Sequence, residues 1–367
     1  MFFGMFGLMT PRCLSVNFLE YRDFEVSLED YYVSRSFDDG LKALRNMCTG
    51  TKEVIFAFKI DGNYWYNLTG EFVLKSHPIF PYMSVNQKGI NLSSIGGDLN
   101  HVHIHPLICE KFIFSTLLTS ALDKFLALPW KDKRNYLKEV QRWARFSMVR
   151  PSDKDIESFC FYTDRCLMIR NFYIVSPYGV VKIAVLNANE LKQHYLPEEV
   201  KIMGHEVCKG KTTMEAAIGK ISIPEVFHIQ FSKHDQLKEP LEISEEEIIK
   251  TYDDKTRTTF LTAAQSADLP TVKMMLAKFP DLLLVTSTTD RFTVLHYAVM
   301  SGINKESFDE TKLLLEYLIE KCNVDINIVD KHGRTPQALM SIKREVETSH
   351  EQREKFTSII DYLGLFQ

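Results

Sequence analysis

The sequence predicts an α+β domain, a mixed sheet with flanking helices and a helical insertion, followed by an all-α repeat solenoid. Three observations predict it. Two β-prone runs, 54–60 and 63–67, are separated by Asp61-Gly62, the dipeptide of a tight hairpin turn. Three histidines at alternate positions, His101, His103 and His105, are closed by Pro106, which reads as a strand brought to a stop. Finally, Thr259, Thr293 and Thr335 head similar stretches at separations of 34 and 42 residues, a period that belongs to stacked helical units.

Composition limits the function classes. A chain of 367 residues has room for two domains. Its 45% hydrophobic and 25% charged residues are those of an ordinary soluble protein. A net charge of −4 gives no footprint for nucleic acid or an anionic membrane surface. Seven cysteines without a C-x-x-C pair read as reduced thiols and suggest neither a disulfide framework nor a cysteine zinc site. The first nine residues are apolar but carry no basic residue, so no secretory signal is expected. No run approaches the roughly 18–20 apolar residues of a membrane span. The expectation is a cytoplasmic protein.

The elements follow in order. Residues 12–232 form the first domain. Ser36 is placed to cap a helix over 36–47. The hairpin follows, then a β-prone piece at 71–74, a loop rich in Pro, Asn and Gly through Gly97, and the histidine strand at 99–105. A helical insertion spans about 107–149, with an apolar helix over 109–128 and a basic amphipathic one over 130–143. Ser152, with Asp155 three residues on, opens a further helix, and a second hairpin covers 172–186. A charged, Glu-rich stretch at 233–257 reads as a linker. Three repeats over 258–345 and a capping helix over 346–367 complete the chain.

The chemistry concentrates on the histidine strand. Alternate side chains of a strand share a face, so His103 and His105 present two imidazoles to one metal ion. Zinc engaged in chemistry takes three protein ligands and keeps one position open. Two Ser-x-x-Asp pairs follow the strand. Asp123 lies within an apolar helical run, whereas Asp155 sits exposed on the first turn of a helix after Pro151 and is the better third ligand.

His103-Ile104-His105-Pro106 with Ser152-x-x-Asp155 resembles the motif of the JAMM zinc metalloproteases, the MPN or JAB family, over roughly residues 40–190. The resemblance implies a glutamate on an early element. Glu53, fifty positions before His103 and opening a β run, fits that place, with Glu71 as its rival. It further implies Zn2+ held by His103, His105 and Asp155, with Glu53 as proton acceptor and Ser152 as donor to the tetrahedral oxyanion. The implied reaction is hydrolysis of an isopeptide bond to ubiquitin or a ubiquitin-like protein. The repeats resemble ankyrin repeats, whose mark is T-P-L-H-x-A at a period of about 33 residues, and imply a target protein as partner. A second reading stays open, a non-catalytic MPN-like adaptor working through the repeats. The combination of units suggests a bacterial effector acting in a host cell.

Overall fold

Local sequence chemistry fixes the first elements. Ser36 Oγ accepts the Asp39 N–H and opens α1 (Phe37–Met47). The Asp61-Gly62 turn is built with positive φ at Gly62 and Asn63, which matches the twist of the strands it joins. These features belong to a computed structural model that describes residues 12–13, 31–50, 52–75, 82–87, 95–165, 169–194, 206–207, 209–223, 225–234, 253–304 and 308–366. The chain divides into two compact units, Met1–Phe114 with Gln141–Glu242, and Ser115–Val140 with Ile243–Gln367.

The first unit is α+β. Its mixed sheet contains β1 (Arg12–Cys13), β2 (Tyr31–Val33), β3 (Val54–Lys59), β4 (Tyr64–Asn67), β7 (Leu99–Ile104), β8 (Ile169–Val175), β9 (Gly179–Val185) and β10 (Phe227–Lys233). Their order across the sheet is β1-β2-β4-β3-β7-β8-β9-β10. β5 (Thr69–Lys75) and β6 (Tyr82–Gln87) form a separate antiparallel pair. The pairing of β7 with β8 is parallel, so the chain must cross over between them. It does so through α2 (Leu107–Ser120), α3 (Leu122–Ala127), α4 (Trp130–Val149) and α5 (Asp153–Arg165).

Strand alternation sorts the sheet into two faces. On one, Val54, Phe56 and Phe58 of β3, Trp65 of β4, Val102 and Ile104 of β7 and Tyr173 and Val175 of β8 meet α1. A Cβ at Gly40 of α1 would lie 2.2 Å from the Trp65 ring, so glycine is what lets the helix settle there. On the other face, Phe172 and Ile174 of β8, Val181 and Ile183 of β9 and Ile229 and Phe231 of β10 pack against α4 and α5. The same core takes in α6 (Ala188–His194) and α7 (Met214–Lys220).

The described residues of the second unit are chiefly helical. Helices α8 (Asp254–Gln265), α9 (Leu269–Lys278), α10 (Val294–Asn304), α11 (Phe308–Glu316), α12 (Pro336–Val346) and α13 (His350–Gly364) follow one another. Asp253, Asp268, Thr335 and Ser349 each cap a helix by accepting a backbone N–H three residues on. His296 is fully buried and locks two successive stretches. One ring nitrogen meets Thr293 Oγ1 at 2.9 Å and the other donates to the Arg334 carbonyl at 3.0 Å.

Where the sequence reading keeps the whole insertion in the first domain, Ser115–Val140 groups with the C-terminal helices. Asn323 donates to the carbonyls of Leu126 and Ala127. The buried Lys133 ammonium closes the end of α3 by donating to the carbonyls of Phe125, Leu126 and Leu128. Its surroundings push its pKa down to about 8, through burial. Of the expected linker, 235–252 lies outside the described residues. No helix among the described residues is long and apolar enough to cross a membrane.

Candidate metal centre

Register brings the histidines to the helical face that carries α5. Ile55 pairs with His103 and Ala57 with His101 on one side, Ile174 with His103 and Phe172 with His101 on the other. Ile104, between the histidines, points to the opposite face and is fully buried in the α1 core. An apolar residue at that position is what this sheet demands.

The three histidines have different fates. His101 is 3% exposed among Phe159, Tyr162 and Phe172, with ring centroids 5.5–6.2 Å away. Burial, then the neighbouring His103, drives its pKa down to about 3, so it stays neutral. His103 and His105 lie at the end of the strand with ring centroids 4.7 Å apart.

Both of these offer Nε2. His105 Nδ1 lies 2.6 Å from the Met148 carbonyl, which only accepts, so the ring proton sits on Nδ1. His103 Nδ1 donates to Asp155 Oδ1 at 2.9 Å. Its Nε2 is buried without a hydrogen-bond partner and lies 4.0 Å from Glu53 Oε2. Ligand atoms of Glu53, His103 and His105 all fall within 4.8 Å of one another. Two imidazoles with fixed tautomers, a carboxylate and one buried orphan nitrogen fit a divalent metal ion.

Asp155 serves two masters. Oδ1 takes the His103 proton, while Oδ2 accepts from the Ser152 N–H at 2.8 Å and the Ser152 hydroxyl at 2.7 Å. The Asp155 N–H returns a bond to Ser152 Oγ at 3.2 Å. Ser152-x-x-Asp155 is therefore a capping box at the start of α5. Asp155 Oδ2 is 4.0 Å from His105 Nε2. Burial disfavours a charge on Asp155, but His103, His105 and the Ser152 bond outweigh it and hold the carboxyl well below the usual range. Burial likewise opposes a charge on His103, while the Asp155 and Glu53 carboxylates raise its pKa. The site draws positive charge.

Glu53, His103, His105, Ser152 and Asp155 lie together in the structure, although the long insertion separates His105 from Ser152. Glu71 falls on β5 of the separate sheet, and its side chain lies outside the described residues. Sequence reasoning missed Cys109, whose thiol donates to Glu53 Oε1 at 3.7 Å. Burial, then the Glu53 charge, pushes that thiol up in pKa and keeps its proton in place. It missed the Met148 carbonyl as well. Neither carries a sequence signal beyond its position on the first turn of α2 and the last turn of α4.

No family model, no curated protein and no solved structure matches the chain.

Proposed function

We propose that this protein is a zinc-dependent isopeptidase of JAMM type, cleaving ubiquitin or a ubiquitin-like protein from targets engaged by C-terminal ankyrin repeats. The observation that carries the reading is the convergence of Glu53, His103 and His105 within 4.8 Å, with Asp155 bonded to His103. His103, His105 and Asp155 would hold the ion. Bound zinc supplies Lewis-acid activation of a water at neutral pH. Glu53 would act as the general base, taking a proton from the attacking water and delivering it to the leaving amine. Cys109 holds the Glu53 carboxylate through Oε1. Ser152 keeps Asp155 in place, and releasing its hydroxyl proton from Oδ2 lets it donate to the oxyanion.

A second ligand set is favoured by one distance. Glu53 Oε2 faces the orphan His103 Nε2, while Asp155 engages the other nitrogen of that ring as an orienting carboxylate does. Glu53 is then the third ligand. Glu53→Gln separates the two: retained zinc with turnover down roughly 10²–10⁴-fold makes it the base, and lost zinc makes it a ligand.

Cleavage of a panel of ubiquitin-chain and ubiquitin-like substrates, with and without a chelator, tests the activity. Chelator-sensitive cleavage is expected. A folded protein that binds no zinc and cleaves nothing is an adaptor that works through its repeats.

A further inference from the structure

The sheet face opposite the metal centre carries a second feature of the first unit. β9 and β10 pair antiparallel, with Val180 against Ser232 and Lys182 against Gln230. Alternation buries Val181, Ile183, Ile229 and Phe231 on the face that carries α5 and turns Val180, Lys182, Gln230 and Ser232 the other way. The apolar contacts of α1 are to β3, β4, β7, β8 and the partly buried Val180 at the start of β9, so the rest of this face of β9 and β10 stays open among the described residues. The result is a groove of about 940 Å³ between α1 and the two strands.

Its lining has a definite chemistry. Lys42 and Arg45 stand one turn apart on α1, Lys182 comes from β9 and Lys233 from the end of β10. Asp38 is the one acid among the described lining residues. Leu41, Tyr173 and Val180 supply an apolar floor between these cations. Four cations against one acid give the groove a positive field, although the chain as a whole carries a net charge of −4.

We infer that this groove binds an acidic, extended polypeptide segment of a partner protein. Two features favour a polypeptide over a phosphate group. The cations stand around the groove on three different elements, whereas a phosphate calls for donors gathered on one point. The apolar floor suits a chain whose side chains alternate, acids toward the lysines and aliphatic groups toward Leu41 and Val180. The inference is independent of the metal centre, which lies on the other face of the sheet.

Fluorescence anisotropy of the full-length chain with a labelled peptide of alternating Glu and Leu tests it. Saturable binding is expected, weakening as salt rises from about 50 to about 200 mM because the contacts lie at the surface. Lys42→Glu with Lys182→Glu removes two attractions and adds two repulsions, and should weaken binding at least roughly tenfold. The same double variant should gain affinity for a Lys/Leu peptide, which general damage to the fold would not produce. Lys42→Gln with Lys182→Gln, a milder pair, should weaken binding to a smaller extent, whereas Lys343→Glu on α12 should leave it unchanged. Failure of the Glu/Leu peptide to bind, or binding that survives both double variants, overturns the inference. So does a single-stranded oligonucleotide or an anionic phosphatidylserine vesicle that displaces the peptide at equal or lower concentration.

Discussion

His296 in the helical unit and His103 in the sheet unit are both buried imidazoles, and they differ in one respect. His296 spends both nitrogens on its own fold, one on Thr293 and one on the Arg334 carbonyl. His103 spends one on Asp155 and leaves the other buried without a hydrogen bond, facing Glu53 at 4.0 Å. A buried polar atom without a partner costs about 1–3 kcal/mol. The contrast sets a histidine bonded into its fold at both ring nitrogens beside one bonded at a single nitrogen, in a group that could hold a metal ion.

The strongest way to break the comparison is to remove the carboxylate behind His103. Asp155→Ala should abolish zinc binding, read by elemental analysis of the purified protein, while the helical unit keeps its circular dichroism signal. Stoichiometric zinc in that variant would mean that Asp155 neither binds the ion nor orients its ligand. His296→Ala should do the opposite. Zinc content is expected to stay at the wild-type level, and urea unfolding of the helices should show a loss of about 2–4 kcal/mol from the cavity and the stranded carbonyl. The smallest effect is expected of Ser152→Ala, which deletes half of the capping box. It should cost about 1 kcal/mol of stability and lower zinc affinity modestly, because Asp155 Oδ2 keeps only its backbone bond.

Acidity sharpens the same contrast. Burial lowers the pKa of His296, against the raising effect of the Arg334 carbonyl bond. The folded state therefore keeps it neutral while the unfolded chain takes up a proton near pH 6.5. Its contribution is complete above about pH 6.5 and is lost as pH falls below that value. Unfolding of the helical unit measured from pH 8 to about pH 5 should show this slope, and His296→Gln should flatten it.

Local rules made much of the fold legible. Asp61-Gly62 specified its hairpin, Ser36 its helix, and alternation with a terminal proline specified the histidine strand. The capping box Ser152-x-x-Asp155 is visible in sequence because it closes within four residues. What was hidden depends on partners far along the chain. Nothing near His105 announces the Met148 carbonyl, and nothing near Glu53 announces Cys109. His101 has the same spacing as its two neighbours and is removed from the site only by the aromatic side chains of α5 and β8 that close over it. The helical period of the insertion announced helices but could not say with which unit they belong.

That last division has a consequence for heredity and for experiment. The chain passes from the first unit to the second at 114, back at 140 and across again at 242. Leu118, Phe125 and Leu137, buried in the excursion, belong to the second unit. A single cut after residue 242 would not liberate the first unit intact, since it would leave these apolar residues without the helices they group with. The two halves are therefore not beads that recombination can exchange at one breakpoint. They alternate along the sequence, so a truncation that isolates either one has to respect the boundaries at 114, 140 and 242.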